Sequence, residues 1–120
     1  MTDVTDNGYH SYLGGQYAVQ QVPLAIAAGA SQSVTGAADE AIVVIELAGT
    51  LKNGGTLTIA DEDDTALVGD LVSGVGDAPV SMRSRHGSFW TDVGKDLKIT
   101  ATTKAFGGVL TYIKARAIPS

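Results

Sequence analysis

The feature that most constrains the fold is a run of four consecutive β-branched residues, Ile42 to Ile45. The run lies in EAIVVIELAG, Glu40 to Gly49, between the turn-rich stretch SQSVTGAADE and the glycines of LKNGGT. A short apolar run that is bounded by turn residues favours a strand over a helix. This segment therefore predicts a strand that is buried on both faces.

Alternating stretches extend the β pattern along the chain. Pro23, within YAVQQVPLAIAAG, indicates an edge strand or a bulge between two short strands. In DLKITATTK the apolar residues alternate with polar ones, which predicts a half-buried strand. The segment VLTYIKARA predicts the last strand, with Val109, Thr111, Ile113 and Ala115 on one face and Leu110, Tyr112, Lys114 and Arg116 on the other.

Turn residues suggest how neighbouring strands are connected. Asn53, Gly54 and Gly55 lie between two alternating stretches and predict a β-hairpin. The segment from Gly94 to Ser120 also predicts a hairpin, joined near Gly107 and Gly108, and it holds five of the eight basic residues. Glycines 69, 74 and 76 argue against a long helix in the segment between these hairpins.

Seven or eight strands at a spacing of about 8–12 residues are typical of an antiparallel sandwich or barrel. We therefore predict an all-β fold, an antiparallel β-sandwich formed by residues 17–120 as a single domain. The chain has 120 residues and no cysteine, so its core needs no disulfide. The absence of cysteine also fits assembly in a reducing cytosol.

Residues 1–16, MTDVTDNGYHSYLGGQ, predict an extended N-terminal arm. Tyr9, Tyr12 and Leu13 are apolar points that could order this arm against a partner, and a flexible terminus is the alternative. The arm lacks the basic residues of a signal peptide, and no apolar run reaches the roughly 20 residues of a membrane span. No membrane partner is predicted.

Charge is divided unevenly along the sequence. Residues 1–77 carry eleven acids and one lysine, a net charge of −10, and residues 78–120 carry seven basic residues and two acids, a net charge of +5. Such a division suits subunits that meet plus to minus. Alternatively, the two groups mix within the folded sheets. The overall charge of −5 argues against a nucleic-acid partner.

Two clusters contain residue types that occur at metal or catalytic sites. The acidic run Asp61–Asp64 could offer oxygen ligands to a cation, but it lacks the spacing of a calcium loop and is better interpreted as a solvated turn. Ser88, His86 and Asp92 contain the residue types of a hydrolase triad, but no glycine elbow precedes the serine. We predict no enzymatic activity, no cofactor and no metal site.

Phe89 and Trp90 are adjacent, so a strand must direct them to opposite faces. One of them should be in the core and the other outward or at a subunit contact. An exposed aromatic ring on a sandwich could also stack against a sugar.

Several segments together resemble small phage virion proteins, in particular capsid decoration (cement) proteins with a jelly-roll sandwich. These segments are the tyrosine-bearing arm, VPLAIAAGASQSV, AIVVIELAGTLKNGGTLTIAD and FWTDVGKDLKITATTKAFGGVLTYIKARA. The resemblance implies a jelly-roll-like β-sandwich and a structural viral protein that is made in the host cytoplasm and lies on the capsid exterior of the virion. Such proteins bind the major capsid protein, typically as homotrimers. A related tail or fibre module would show the same style of sequence.

The resemblance also suggests which residues contact a partner. Tyr9, Tyr12 and Leu13 would anchor the arm to the capsid, since tyrosine is favoured at interfaces. Interface residues on the sandwich would be Trp90, Arg83, Arg85, Lys114 and Arg116. The basic residues of the terminal hairpin would then face an acidic neighbour, or they would simply be solvated. The alternative function is a non-enzymatic binding module for a carbohydrate or receptor, on a phage tail or fibre or on a bacterial surface.

Overall fold

The computed structural model describes residues 9–12, 15–73, 76–84 and 87–116, and these residues form an all-β fold. Two antiparallel sheets pack as a sandwich, and a separate two-stranded hairpin precedes them. The strands are β1 Tyr9–Tyr12, β2 Gly15–Ala18, β3 Gln20–Ile26, β4 Ser31–Val34, β5 Glu40–Leu51, β6 Thr56–Asp61, β7 Leu71–Val72, β8 Ala78–Arg83, β9 Phe89–Trp90, β10 Leu97–Thr102 and β11 Phe106–Arg116.

The strand order is that of a jelly roll, as predicted. One sheet has the order β3-β11-β5-β8, with β9 also paired to β5, and the other has the order β4-β10-β6-β7. Since β8 and β9 both pair with β5, they act as two segments of one strand, and the sandwich then has the eight strands of a jelly roll. The described residues form eleven strands rather than seven or eight, because this strand is split and the hairpin adds two.

The long strand β5 is buried on both faces from Ile42 to Ile45, and it contains a β-bulge. Thr111 of β11 faces Glu46, but the next residue faces Val44, so Ile45 is the extra residue in β5. On one side of the bulge Ile42 and Val44 point into the core between the sheets. Val43 and Ile45 point to the outer face instead.

A second apolar cluster therefore lies outside the sandwich. Val43 and Ile45 join Ile113 and Ala115 of β11 there, and all four are buried. The partly buried residues Tyr17 and Val19, in and after β2, pack over them. The N-terminal hairpin thus covers one half of the outer face of the five-stranded sheet.

The main core lies between the two sheets. Its largest members are fully buried, and each contributes roughly 1.5–3 kcal/mol by leaving water. The predicted alternation in β10 is confirmed, since Leu97, Ile99 and Ala101 are buried and their polar neighbours are not. The other residues of the core between the sheets include Leu24, Ile26, Leu47, Leu51, Leu57, Ile59, Phe89, Phe106 and Leu110.

Both predicted hairpins are wrong, because each pair of strands is divided between the two sheets. The turn at Asn53 exists, with Gly54 at a φ of 81° and a hydrogen bond of 2.9 Å from Gly55 N to Lys52 O. However, β5 pairs with β11 and β8, whereas β6 pairs with β10 and β7. The turn is therefore an arch from one sheet to the other.

The C-terminal strands are arranged in the same way. β10 lies between β4 and β6, and β11 lies between β3 and β5. The connection between them is residues 103–105, and Gly107 and Gly108 belong to β11 rather than to the loop. The basic residues of this segment are consequently distributed over two sheets.

The predicted edge strand at Pro23 is confirmed, and a side chain covers its open edge. β3 is the terminal strand of the five-stranded sheet. The Gln32 amide donates its Nε2–H to Pro23 O at 3.1 Å and accepts a hydrogen bond of 3.4 Å from Ala25 N. Gln32 thus occupies the backbone groups that a further strand would use.

Part of the predicted arm forms the hairpin of β1 and β2, which pair from Tyr9 opposite Ala18 to Tyr12 opposite Gly15. The predicted boundary between residues 16 and 17 falls inside β2. Residues 1–8 lie outside the described part of the chain. Within the described part, no helix is long and apolar enough to cross a membrane.

Candidate functional site

The part of the outer face farthest from the hairpin is flat and uncharged. It consists of two rows of cross-strand neighbours on four strands. We call these eight residues the bare face: Ala25, Gly107, Thr50 and Pro79 in one row, and Pro23, Val109, Ala48 and Ser81 in the next. None has a side chain larger than valine, and all are exposed or half-exposed.

The flatness of the bare face is not required by packing inside the molecule. A Cβ on Gly107 would come no closer than 3.9 Å to any heavy atom, the nearest being Leu24 O. The next row carries charges, with Glu46 opposite Arg83, beside Thr111, whose Oγ1 accepts a hydrogen bond of 3.3 Å from Gln21 Nε2. Outward sheet positions in an antiparallel sandwich are ordinarily polar, so the bare face is unusual for a surface that meets only water.

Trp90 lies on the same outer face, at its margin. It pairs with Val43 and is 52% exposed, whereas Phe89 is 3% exposed and belongs to the core. The prediction that these two rings point in opposite directions is confirmed. Gly87, at a φ of 95°, lies next to the indole, because a Cβ there would be 3.5 Å from Trp90 Cε3 and 2.8 Å from Val43 Cγ1. The ring is therefore held near the sheet but remains accessible.

The structure brings together only some of the predicted interface residues. Arg83 is exposed on β8. β8 and β9, the strand that contains Trp90, pair with the same edge of β5. Lys114 is half-buried and, by alternation with Leu110, lies on the opposite side of the sheet. The backbone of Arg116 pairs with that of Glu40, and its side chain lies outside the description, as does the whole of Arg85.

The arm residues remain predictions. Tyr9 and Tyr12 are the first and last residues of β1, but their side chains are not described. Leu13 lies outside the described residues. The bare face was not found from the sequence, because its residues are distributed between positions 23 and 109 and only the strand register brings them together.

Two lysines from another part of the chain pair with carboxylates of the acidic turn. Asp61 is buried, and its Oδ1 accepts hydrogen bonds from Asp63 N at 2.8 Å and Thr65 N at 3.0 Å. Lys95 Nζ lies 2.5 Å from Asp63 Oδ2, and this hydrogen bond raises the pKa of Lys95. Lys98 forms an ion pair with Asp64. In this region the charges of the two parts of the sequence mix, as one of the two interpretations expected.

The remaining candidate sites are a metal cluster and the triad of Ser88, His86 and Asp92. No cluster of three or more histidine, cysteine or acidic side chains in metal-binding geometry occurs among the described residues. Ser88 donates its hydroxyl hydrogen to Ile45 O at 3.3 Å, and Asp92 is exposed. His86 lies outside the description.

No protein-family model matches this chain, and no curated protein matches it at a significant level.

Proposed function

We propose that this chain is a structural virion protein, a decoration protein that lies on the outside of a phage capsid and bridges neighbouring subunits of the major capsid protein. The observation that carries the proposal is the bare face. It spans four strands without a charge. Charged residues are depleted in the centre of protein interfaces, so such a face suits contact with another protein surface.

The remaining features fit the same role. The jelly-roll sandwich is a rigid support for the face. Trp90, which is exposed on the same outer face beyond the row of Glu46 and Arg83, is a residue type that often dominates binding energy. Tyr9, Tyr12 and Leu13 would provide a second point of attachment. Two attachments on one molecule act at high effective concentration, which would raise the free energy needed to separate the bridged capsid subunits.

The proposal can be tested by cosedimentation with empty shells assembled from the major capsid protein of the same virus. We expect saturable binding by the natural chain and at least a tenfold weaker affinity for the double variant Ala48→Arg, Ser81→Arg, about 1.4 kcal/mol. Thr102→Arg, an exposed position on the four-stranded sheet, is the matched control and should bind normally. Absence of the natural chain from the pelleted shells would contradict the proposal.

The exposure of Trp90 favours a second candidate, a carbohydrate-binding module. Trp90 is the single tryptophan of the chain, so intrinsic fluorescence reports on its environment alone. Titration with bacterial surface polysaccharides would give a saturable spectral shift if Trp90 stacks on sugars. The same titration followed by calorimetry should show no binding for Trp90→Ala. Saturable glycan binding without shell binding would select this second function.

A further inference from the structure

One end of the sandwich carries a shallow apolar pocket. It has a volume of about 440 Å³ and lies between residue 27, which follows β3, and the connection from β10 to β11. Ile26, Ala27, Ala105 and Phe106 contribute its apolar walls, and Ala25 and Gly107 of the bare face form its rim. We call it the end pocket. Its size is sufficient for one aliphatic side chain.

The charges beside the end pocket are positive. Lys52 lines it, and Lys104 immediately precedes the wall residue Ala105. Lys52 lies 3.6 Å from Asp77, whereas Lys104 is exposed and makes no ion pair within the described ranges 15–73, 76–84 and 87–116. The pocket therefore suits an aliphatic side chain that has a carboxylate close to it.

The backbone of the connection beside the pocket is strained. Thr103 has a φ of 74°, in the left-handed region that β-branched residues rarely adopt. Residues held in such conformations are concentrated at functional sites. The strain at Thr103 therefore favours a functional role for the loop that carries Lys104 and Ala105.

The same molecule displays the complementary group at another place. Val72 of β7 is 67% exposed, the highest exposure among the large hydrophobic residues in the described part of the chain. Asp70, two residues before it, is exposed as well. An aliphatic side chain and a carboxylate thus stand together on an edge strand.

We propose that the end pocket of one copy receives Val72 of a second copy, with Asp70 of that copy next to Lys104. A single copy cannot satisfy itself, because Ala25 and Gly107, which line the pocket, face outward from the five-stranded sheet, whereas Val72 belongs to the four-stranded sheet. Leu71 packs against the core, so by alternation Val72 points outward on the opposite face of the sandwich. The contact is therefore head-to-tail, and repeated contacts close a ring or extend a filament. This inference does not depend on capsid binding.

Sedimentation velocity tests the inference without any capsid, over concentrations from about 10 μM to about 1 mM, the range of a small interface. The natural chain should sediment faster as its concentration rises. Val72→Ser and Lys104→Glu should each abolish this increase. Val93→Ser is the matched control, since Val93 is also exposed, and it should associate normally.

Two further variants distinguish a specific contact from general stickiness. Asp70→Lys combined with Lys104→Glu in one chain should restore association that Lys104→Glu alone loses. Val72→Arg and Ala105→Arg should each be monomeric, and their mixture should form a dimer, because one supplies an intact pocket and the other an intact Val72. A natural chain that stays monomeric at about 1 mM, or association that survives both Val72→Ser and Lys104→Glu, would overturn the inference.

Discussion

Gly49 of β5 and Gly108 of β11 stand directly opposite each other, and neither has room for a side chain. A Cβ on Gly108 would overlap the carbonyl oxygen of Ala48 and lie 2.7 Å from Gly49 Cα. A Cβ on Gly49 would lie 2.7 Å from Cζ of Phe106. The ring of Phe106 thus fills the core space that the glycine leaves open, at the place where the two longest strands pair.

Substitution of Gly108 by alanine is therefore expected to be strongly destabilising. The added methyl group meets backbone atoms, which cannot move without separating β5 from β11, so we expect a loss of about 3 kcal/mol in the free energy of unfolding. Gly107→Ala is the matched control on the neighbouring residue, where a Cβ has open space. It should stay within about 1 kcal/mol of the natural chain. Urea unfolding of the two variants measures both values, and equal effects would contradict this account.

The Gln32 amide should protect the edge of β3. Gln32→Ala removes the hydrogen bonds to Pro23 O and from Ala25 N, and we expect a loss of about 1 kcal/mol. Amide hydrogen exchange at Ala25 should accelerate in this variant. Gln32→Glu retains an acceptor for Ala25 N but cannot donate to Pro23 O, so it should preserve most of the protection at Ala25. Unchanged exchange in Gln32→Ala would show that the contact has no protective role.

Thr103→Gly should stabilise the chain. The left-handed φ of 74° costs a β-branched residue more than it costs glycine, and we expect a gain of about 1 kcal/mol in spite of the greater freedom of glycine in the unfolded chain. The neighbouring Thr102→Gly, within β10, should be destabilising instead. Thermal unfolding of both variants provides the comparison. A destabilised Thr103→Gly would mean that the threonine side chain contributes more than the strain removes.

The turn that joins β5 to β6 should make stability depend on pH. Asn53 N donates a hydrogen bond of 2.9 Å to Asp77 Oδ1, and this bond, with a smaller contribution from Lys52, lowers the pKa of Asp77 below 3.8. A lowered pKa in the folded state contributes stability above pH 3.8, and this stability is lost as the pH falls through the folded-state value. The free energy of unfolding, measured at intervals of roughly one pH unit between pH 6 and pH 2, should therefore fall further in the natural chain than in Asp77→Asn.

Lys52→Ala is the control for the cause of this effect. It removes the nearby charge but leaves the Asn53 hydrogen bond in place, so most of the acid dependence should remain. Added salt should also have little influence on what remains. If the dependence disappears in Lys52→Ala, the charge rather than the hydrogen bond would be its main cause.

The sequence was a good guide to strands but a poor one to their partners. The run from Ile42 to Ile45 predicts burial on both faces, because consecutive apolar residues in a strand point alternately to its two faces. The turn at Asn53 was recognised from its residues, yet it joins β5 to β6 across the sandwich. The residues of a turn determine how the chain bends locally, whereas long-range packing determines which of the two sheets the next strand joins.

The same distinction applies to the candidate surfaces. The opposite directions of Phe89 and Trp90 follow from alternation within two residues, and they were predictable. The bare face and the end pocket were not. Gly107 and Pro79, for example, become neighbours of the same strand, β5, only through the register of β11 and β8. No local pattern in the sequence contains that information.

The central position of β11 has a consequence for synthesis of the protein. β11 separates β3 from β5, so neither of these earlier strands can complete its pairing until residues 106–116 have left the ribosome. Folding should therefore be late and comparatively slow, as it is for sheets whose contacts join distant parts of the chain. Until then the apolar run of β5 is uncovered, and the growing chain depends on its own solubility or on chaperones.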